Sequence, residues 1–158
     1  MRAAPFAAAA LAAAACCPNV LAGPFDGLKS HMKAGMYEYK MDMDMSQMQG
    51  MPPGMGKQSH TFQHCVTAED IDKGQMGRAG RDGKAAPENC EVKNMQITGD
   101  SATYTMACKQ PHEMTADNKI IFRGDGYTMD MKMAMNQAGH PMNMTQHLEA
   151  RYLGPCSK

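Results

Sequence analysis

Residues 127–135 read YTMDMKMAM, and residues 41–45 read MDMDM. Methionine at every second position, with charged residues mostly between, admits two chemistries. Thioether sulfur is a soft ligand that takes Cu(I) or Ag(I) without losing a proton. Period-two alternation is also how a β-strand presents one face to a core, and methionine fills irregular space well. The chain has 19 Met against 4 Phe, 5 Tyr and no Trp, so a core of several strands is short of other bulky residues. Packing therefore accounts for most of the ladder, and ligand candidates belong where burial is less expected. Met48, Met51 and Met55 lie in the glycine- and proline-rich stretch MQGMPPGMGK. His140-Pro141-Met142-Asn143-Met144 puts an imidazole and two thioethers together where a strand begins. Met48, Met51, Met55, His140, Met142 and Met144 are the candidate metal ligands, with Cu(I) as the ion.

The remaining chemistry-bearing residues point to little. His60 and His64 fall on one expected strand about 13 Å apart, too far to share an ion, and they oppose Cys65 in parity, so they face solvent if Cys65 faces inward. No Cys and His set has zinc spacing. Arg123-Gly124-Asp125 is an adhesion tripeptide by letters but falls on an expected turn. Asn143-Met144-Thr145 is a glycosylation sequon meaningful only in a eukaryotic secretory host. Gly77-Arg78-Ala79-Gly80-Arg81 lacks the strand and helix context of a phosphate loop. No Ser/His/Asp arrangement, acid pair in an apolar setting or glycine elbow is visible, which favours a non-enzymatic binding role.

The first 22 residues read as a secretory signal peptide. Met1-Arg2 is followed by an alanine-rich apolar run, and Val20-Leu21-Ala22-Gly23 supplies a cleavage site. The expected exported domain is 23–158, placed in the periplasm. A lipid anchor at Cys16 is the weaker reading, because a bulkier residue is wanted three positions before it. No later run approaches the ~20 apolar residues of a membrane helix. Removing Arg2 leaves 15 basic against 16 acidic residues, and with no basic block nothing points to nucleic acid as a partner.

Export also decides how the cysteines are read. Cys65, Cys90, Cys108 and Cys156 remain after the leader, an even number in an oxidising compartment, which implies two disulfides. Alternation places strands at about 35–46, 58–66, 90–98, 101–109, 118–124, 127–135 and 142–152. A three-residue turn at Thr98-Gly99-Asp100 sets Cys90 opposite Cys108 and Val92 opposite Met106. The bridges are then Cys90–Cys108 and, by exclusion, Cys65–Cys156. Asp125-Gly126 is a two-residue hairpin signal that sets Phe122 opposite Met129 and Ile120 opposite Met131, with Ile121 left on the charged face. Thr67-Ala68-Glu69-Asp70 opens one short helical turn. The fold class is all-β: an antiparallel meander of about seven strands curled into a half-barrel or barrel, with two disulfides.

The order of these features is similar to a known family. It runs Met32-Lys33-Ala34-Gly35-Met36-Tyr37-Glu38, then Met51-Pro52-Pro53, Cys65-Val66-Thr67-Ala68-Glu69-Asp70, Cys90-Glu91-Val92, Cys108 and a terminal Leu153-Gly154-Pro155-Cys156. From about residue 30 onward the chain resembles the bacterial exported family called domain of unknown function 3617, in which Trp often stands where this chain has Tyr37. The resemblance implies a small periplasmic β domain and brings no established activity. Two functions follow as expectations. The first is binding of Cu(I) or Ag(I) through thioethers. The second is binding of an apolar small molecule or protein partner in a methionine-lined cavity.

Overall fold

A computed structural model describes residues 23, 25–47, 54, 56–72, 89–109, 113–137 and 140–156, the side chains of 137 and 140 excepted. Seven strands follow in chain order: β1 (Gly35–Asp44), β2 (Lys57–Val66), β3 (Cys90–Thr98), β4 (Ser101–Cys108), β5 (Met114–Arg123), β6 (Gly126–Gln137) and β7 (His140–Gly154). A 3₁₀ helix (Asp26–His31) precedes β1, and one short helix, α1 (Ala68–Asp72), follows β2. The sheet order is β2-β1-β7-β6-β5-β4-β3, with every pair antiparallel. This is the cyclic order of an up-and-down barrel left open between β2 and β3.

Period-two burial sorts the ladder. Met41, Met129 and Met131 point to the face that carries Tyr39, Leu148, Ile120 and Phe122, the buried core. Asp42, Asp130, Lys119 and His147 alternate with them and stand together on the opposite face. There His147 Nδ1 lies 2.6 Å from Asp130 and Arg151 donates to Glu38 at 2.8 Å. The charges between the methionines are thus the wet face of the sheet.

One end of the concave face is filled. Phe62, Tyr39, Ala150, Tyr127 and Phe122 form a row across five strands. The 3₁₀ helix lies over it: Leu28 is fully buried, His31 stacks on Phe122 at 4.9 Å, and Phe25 meets Tyr104 edge-on at 5.3 Å. Helix α1 packs against the 3₁₀ helix and buries Ile71. Its start is a reciprocal cap: the Thr67 amide donates to Asp70 at 2.8 Å, and the Asp70 amide donates to Thr67 Oγ1 at 3.1 Å. Both expected disulfides are present, Cys65–Cys156 and Cys90–Cys108.

Two turns differ from the sequence reading; the first keeps every face, and the second moves only the residues between the turn and a bulge. The β5–β6 turn is Gly124-Asp125, with Gly124 at φ +55°, so Phe122 meets Tyr127 and Ile120 meets Met129. The pairing moves by two residues, which preserves sidedness where a slip of one would reverse it. The β3–β4 turn is the two-residue Gly99-Asp100, pairing Thr98 with Ser101. Cys90 still meets Cys108, because a bulge between Lys93 and Gln96, with Asn94 at φ +54°, restores the expected register. The bulge also returns Ile97 to the concave side, opposite Ala102. Strand β5 begins at Met114, four residues before the expected start, because its inward position 116 is a small alanine that hides the alternation.

Candidate functional site

Above the filled end, the concave face is built in rows read directly from the register. The first is apolar: Met41, Leu148, Met129, Ile120, Ala102 and Ile97. The next is Gln58, Met43, Gln146, Met131, Asn118 and Tyr104, six residues on six adjacent strands. Three amides, two thioethers and a tyrosine thus form one belt. Further toward the open end come Met144, Met133, Ala116, Met106 and Val92. The last row is Met142, Met135, Met114 and the Cys108–Cys90 bridge.

The belt encloses a cavity of about 1100 Å³. All six belt residues line it, as do polar and charged residues next to them in each strand, Asp42, Lys119, Asp130 and His147 among them although they alternate with the belt, and β3 contributes Asn94 and Gln96. Every strand of the sheet therefore touches one cavity, which is what an open sheet does when it curls. The apolar row beneath does not line it: Leu148 is 1% and Met129 and Ile120 are each 8% exposed, packed into the core.

Asn118 is the polar side chain buried in this wall, at 4% exposure. Its Nδ2 donates to the Ala116 carbonyl oxygen at 2.9 Å. Its Oδ1 has no hydrogen-bond partner among the described residues. A buried amide oxygen left unpaired costs about 1–3 kcal/mol, and such groups are few in native proteins. The oxygen is itself shut off from solvent just behind the cavity wall, so a ligand N–H or O–H reaches it only when neighbouring side chains of the wall move aside.

Two other buried polar atoms belong to the filled end. Burial pushes the Tyr39 phenol up to about 12 and raises that of Tyr127 well above its ordinary value. The two phenols are close enough to influence one another, but neither hydroxyl meets hydrogen-bond geometry. Both stay neutral and contribute apolar bulk.

Only Met142 and Met144 of the expected ligand set have described side chains. Met48, Met51 and Met55 lie outside the described residues. His140 heads β7 opposite Gln137, and its side chain lies outside them too. Met142 and Met144 are half-buried on the concave face and oppose Met135 and Met133. His60 and His64 are exposed on edge strand β2, as expected, although they share the parity of Phe62 while Cys65 has the outward one. Of the alternating methionines, Met43 and Met131 line the cavity, while Met129 is buried in the core and Met133 is not among the lining residues. Sequence reasoning missed Asn118, Gln58 and Gln146, whose polarity hid their inward parity. It also missed Met114, Met133 and Met135 as a group, because the β6–β7 register was not worked out.

The family model described as "Protein of unknown function (DUF3617)" matches residues 32–156. The chain belongs to this family. Within the DUF3617 match fall all seven strands and both disulfides. No match was found among the curated proteins or the solved structures. Among the described residues, no helix is long and apolar enough to cross a membrane, and no group of three or more His, Cys, Asp or Glu is placed to hold a metal ion.

Proposed function

We propose that this DUF3617 chain is an exported, non-enzymatic binding protein of the bacterial periplasm. Its half-barrel takes an amphipathic small molecule with an apolar body and at least one hydrogen-bond donor. The observation that carries this reading is the unpaired Asn118 Oδ1 in the wall of a cavity of about 1100 Å³. That volume is in the range of small-molecule sites, which combine apolar walls with a few placed polar groups. Met43 and Met131 supply adaptable apolar contact, and Gln58, Gln146 and Asn118 supply orientation. The leader and the two disulfides fit an oxidising compartment.

The test is a fluorescence titration with N-phenyl-1-naphthylamine, which has an apolar body and one N–H. Its partner probe is 1-naphthyl phenyl ether, of similar shape without the donor. Saturable binding of the amine, about tenfold tighter than the ether, is the expected result. Equal affinity for both, or no saturation by either, contradicts the proposal.

A further inference from the structure

Beyond the cavity, the two outermost rows gather thioethers on three adjacent strands. Met114, Met135 and Met142 oppose one another across β5, β6 and β7. Met133 and Met144 form the next pair on the same face. Opposed Cβ atoms on neighbouring antiparallel strands lie about 4.5–5.5 Å apart, and rows two residues apart are separated by about 7 Å. Five long, unbranched side chains therefore rise from a patch two rows deep and three strands wide. All five are half-buried, so solutes reach them while their walls stay partly dry.

Ala116 marks how tightly the middle of this patch is covered. It sits between Met106 and Met133 across the sheet and two residues from Met114. Its own side chain is a single methyl, yet it is 0% exposed. Neighbouring side chains cover it, and Met106, Met114 and Met133 are the long ones beside it in the register.

We infer that this patch is a binding site for a soft monovalent cation, Cu(I) or Ag(I), with Met114, Met135 and Met142 as the central ligands and Met133 and Met144 beside them. Thioethers are soft and bind without deprotonation. They are also neutral, so they leave the charge of the ion uncompensated, which suits a monovalent ion better than a divalent one. The site does not rest on the cavity reading: it uses different residues, and a naphthylamine probe can fail to bind while copper binding persists, or the reverse.

The experiment is an anaerobic Cu(I) titration of the disulfide-bonded protein against a chromophoric Cu(I) chelator. Three variants run beside the wild type: M114L/M135L/M142L, the milder M135L alone, and the loop variant M48L/M51L/M55L. Leucine keeps apolar volume and deletes only the sulfur, and thermal melts verify folding. The wild type should withdraw one Cu(I) per chain. M135L should lose affinity at least tenfold at unchanged melting temperature, the triple strand variant should lose it altogether, and the loop variant should keep it. Failure of the wild type to compete overturns the inference. So does undiminished binding by M135L and the triple strand variant, or loss confined to the loop variant.

Discussion

Asn118→Leu separates function from stability at a single position. In the free protein the Asn118 side chain makes one bond, Nδ2 to the Ala116 carbonyl at 2.9 Å, and leaves Oδ1 unpaired at 4% exposure. The bond contributes a net ~1 kcal/mol, and the unpaired oxygen costs ~1–3 kcal/mol. Leucine of similar size removes both and adds apolar contact with Met131 and Ile120, its cross-strand and same-face neighbours. The net expectation runs from neutral to about 2 kcal/mol more stable. Urea unfolding at pH 7 reads this as a raised midpoint at unchanged slope. The same variant should lose the preference for naphthylamine over its ether, because the acceptor is gone. A destabilisation of ~1 kcal/mol or more would refute the reasoning, since it would mean that Oδ1 is satisfied in the native state.

Glycine 126 gives a second test. A Cβ there would run into the Ala150 carbonyl oxygen, a backbone atom in the neighbouring strand, whereas Gly124 has open space and only a left-handed φ of +55°. Gly126→Ala should cost at least ~2 kcal/mol and Gly124→Ala ~1 kcal/mol by chemical denaturation. The disulfides differ in the chain they close, with separations of 91 residues for Cys65–Cys156 and 18 for Cys90–Cys108. On chain entropy, C65A/C156A should destabilise by ~1.4 kcal/mol more than C90A/C108A; equal midpoints would place the stabilisation elsewhere. The Asp130 carboxylate beside His147 raises that imidazole above its ordinary value of 6.5. Its contribution to stability is therefore complete below pH ~6.5 and fades as pH rises through the raised value. His147 should titrate at higher pH than free histidine in pH-resolved NMR, and Asp130→Asn should remove most of that displacement, the remainder coming from Glu149; an unchanged midpoint would show that the Asp130 pair has no thermodynamic weight.

The sidedness of the fold was legible because alternation is a strict signal. Once Met129 and Met131 were assigned to the face of Phe122 and Ile120, a two-residue error in the turn left that assignment intact. The cysteine pair Cys90–Cys108 was legible for a less secure reason: the three-residue turn was wrong by one, and the bulge at Asn94 compensated for it. Nothing local in Lys93-Asn94-Met95 announces a bulge except an asparagine, which tolerates positive φ. The insertion of β7 between β1 and β6 joins chain ends far apart in sequence, and no short-range rule predicts it. Asn118 escaped notice because a polar residue at an inward position reads as a strand boundary. It acquires meaning only when the register sets it between Met131 and Tyr104 in a cavity wall.

The central claim is that the belt is a ligand site, and methionine methyls report on it directly. The measurement is a ¹³C-methyl-methionine NMR titration of the disulfide-bonded protein with N-phenyl-1-naphthylamine. Met43 and Met131 line the cavity, while Met36 pairs with Cys65 on the outward face and Met32 is buried at the end of the 3₁₀ helix. Saturable ring-current shifts at Met43 and Met131, with Met36 and Met32 unmoved, are the predicted result. Shifts spread equally over Met36, or absent from Met43 and Met131 at saturating probe, would contradict it.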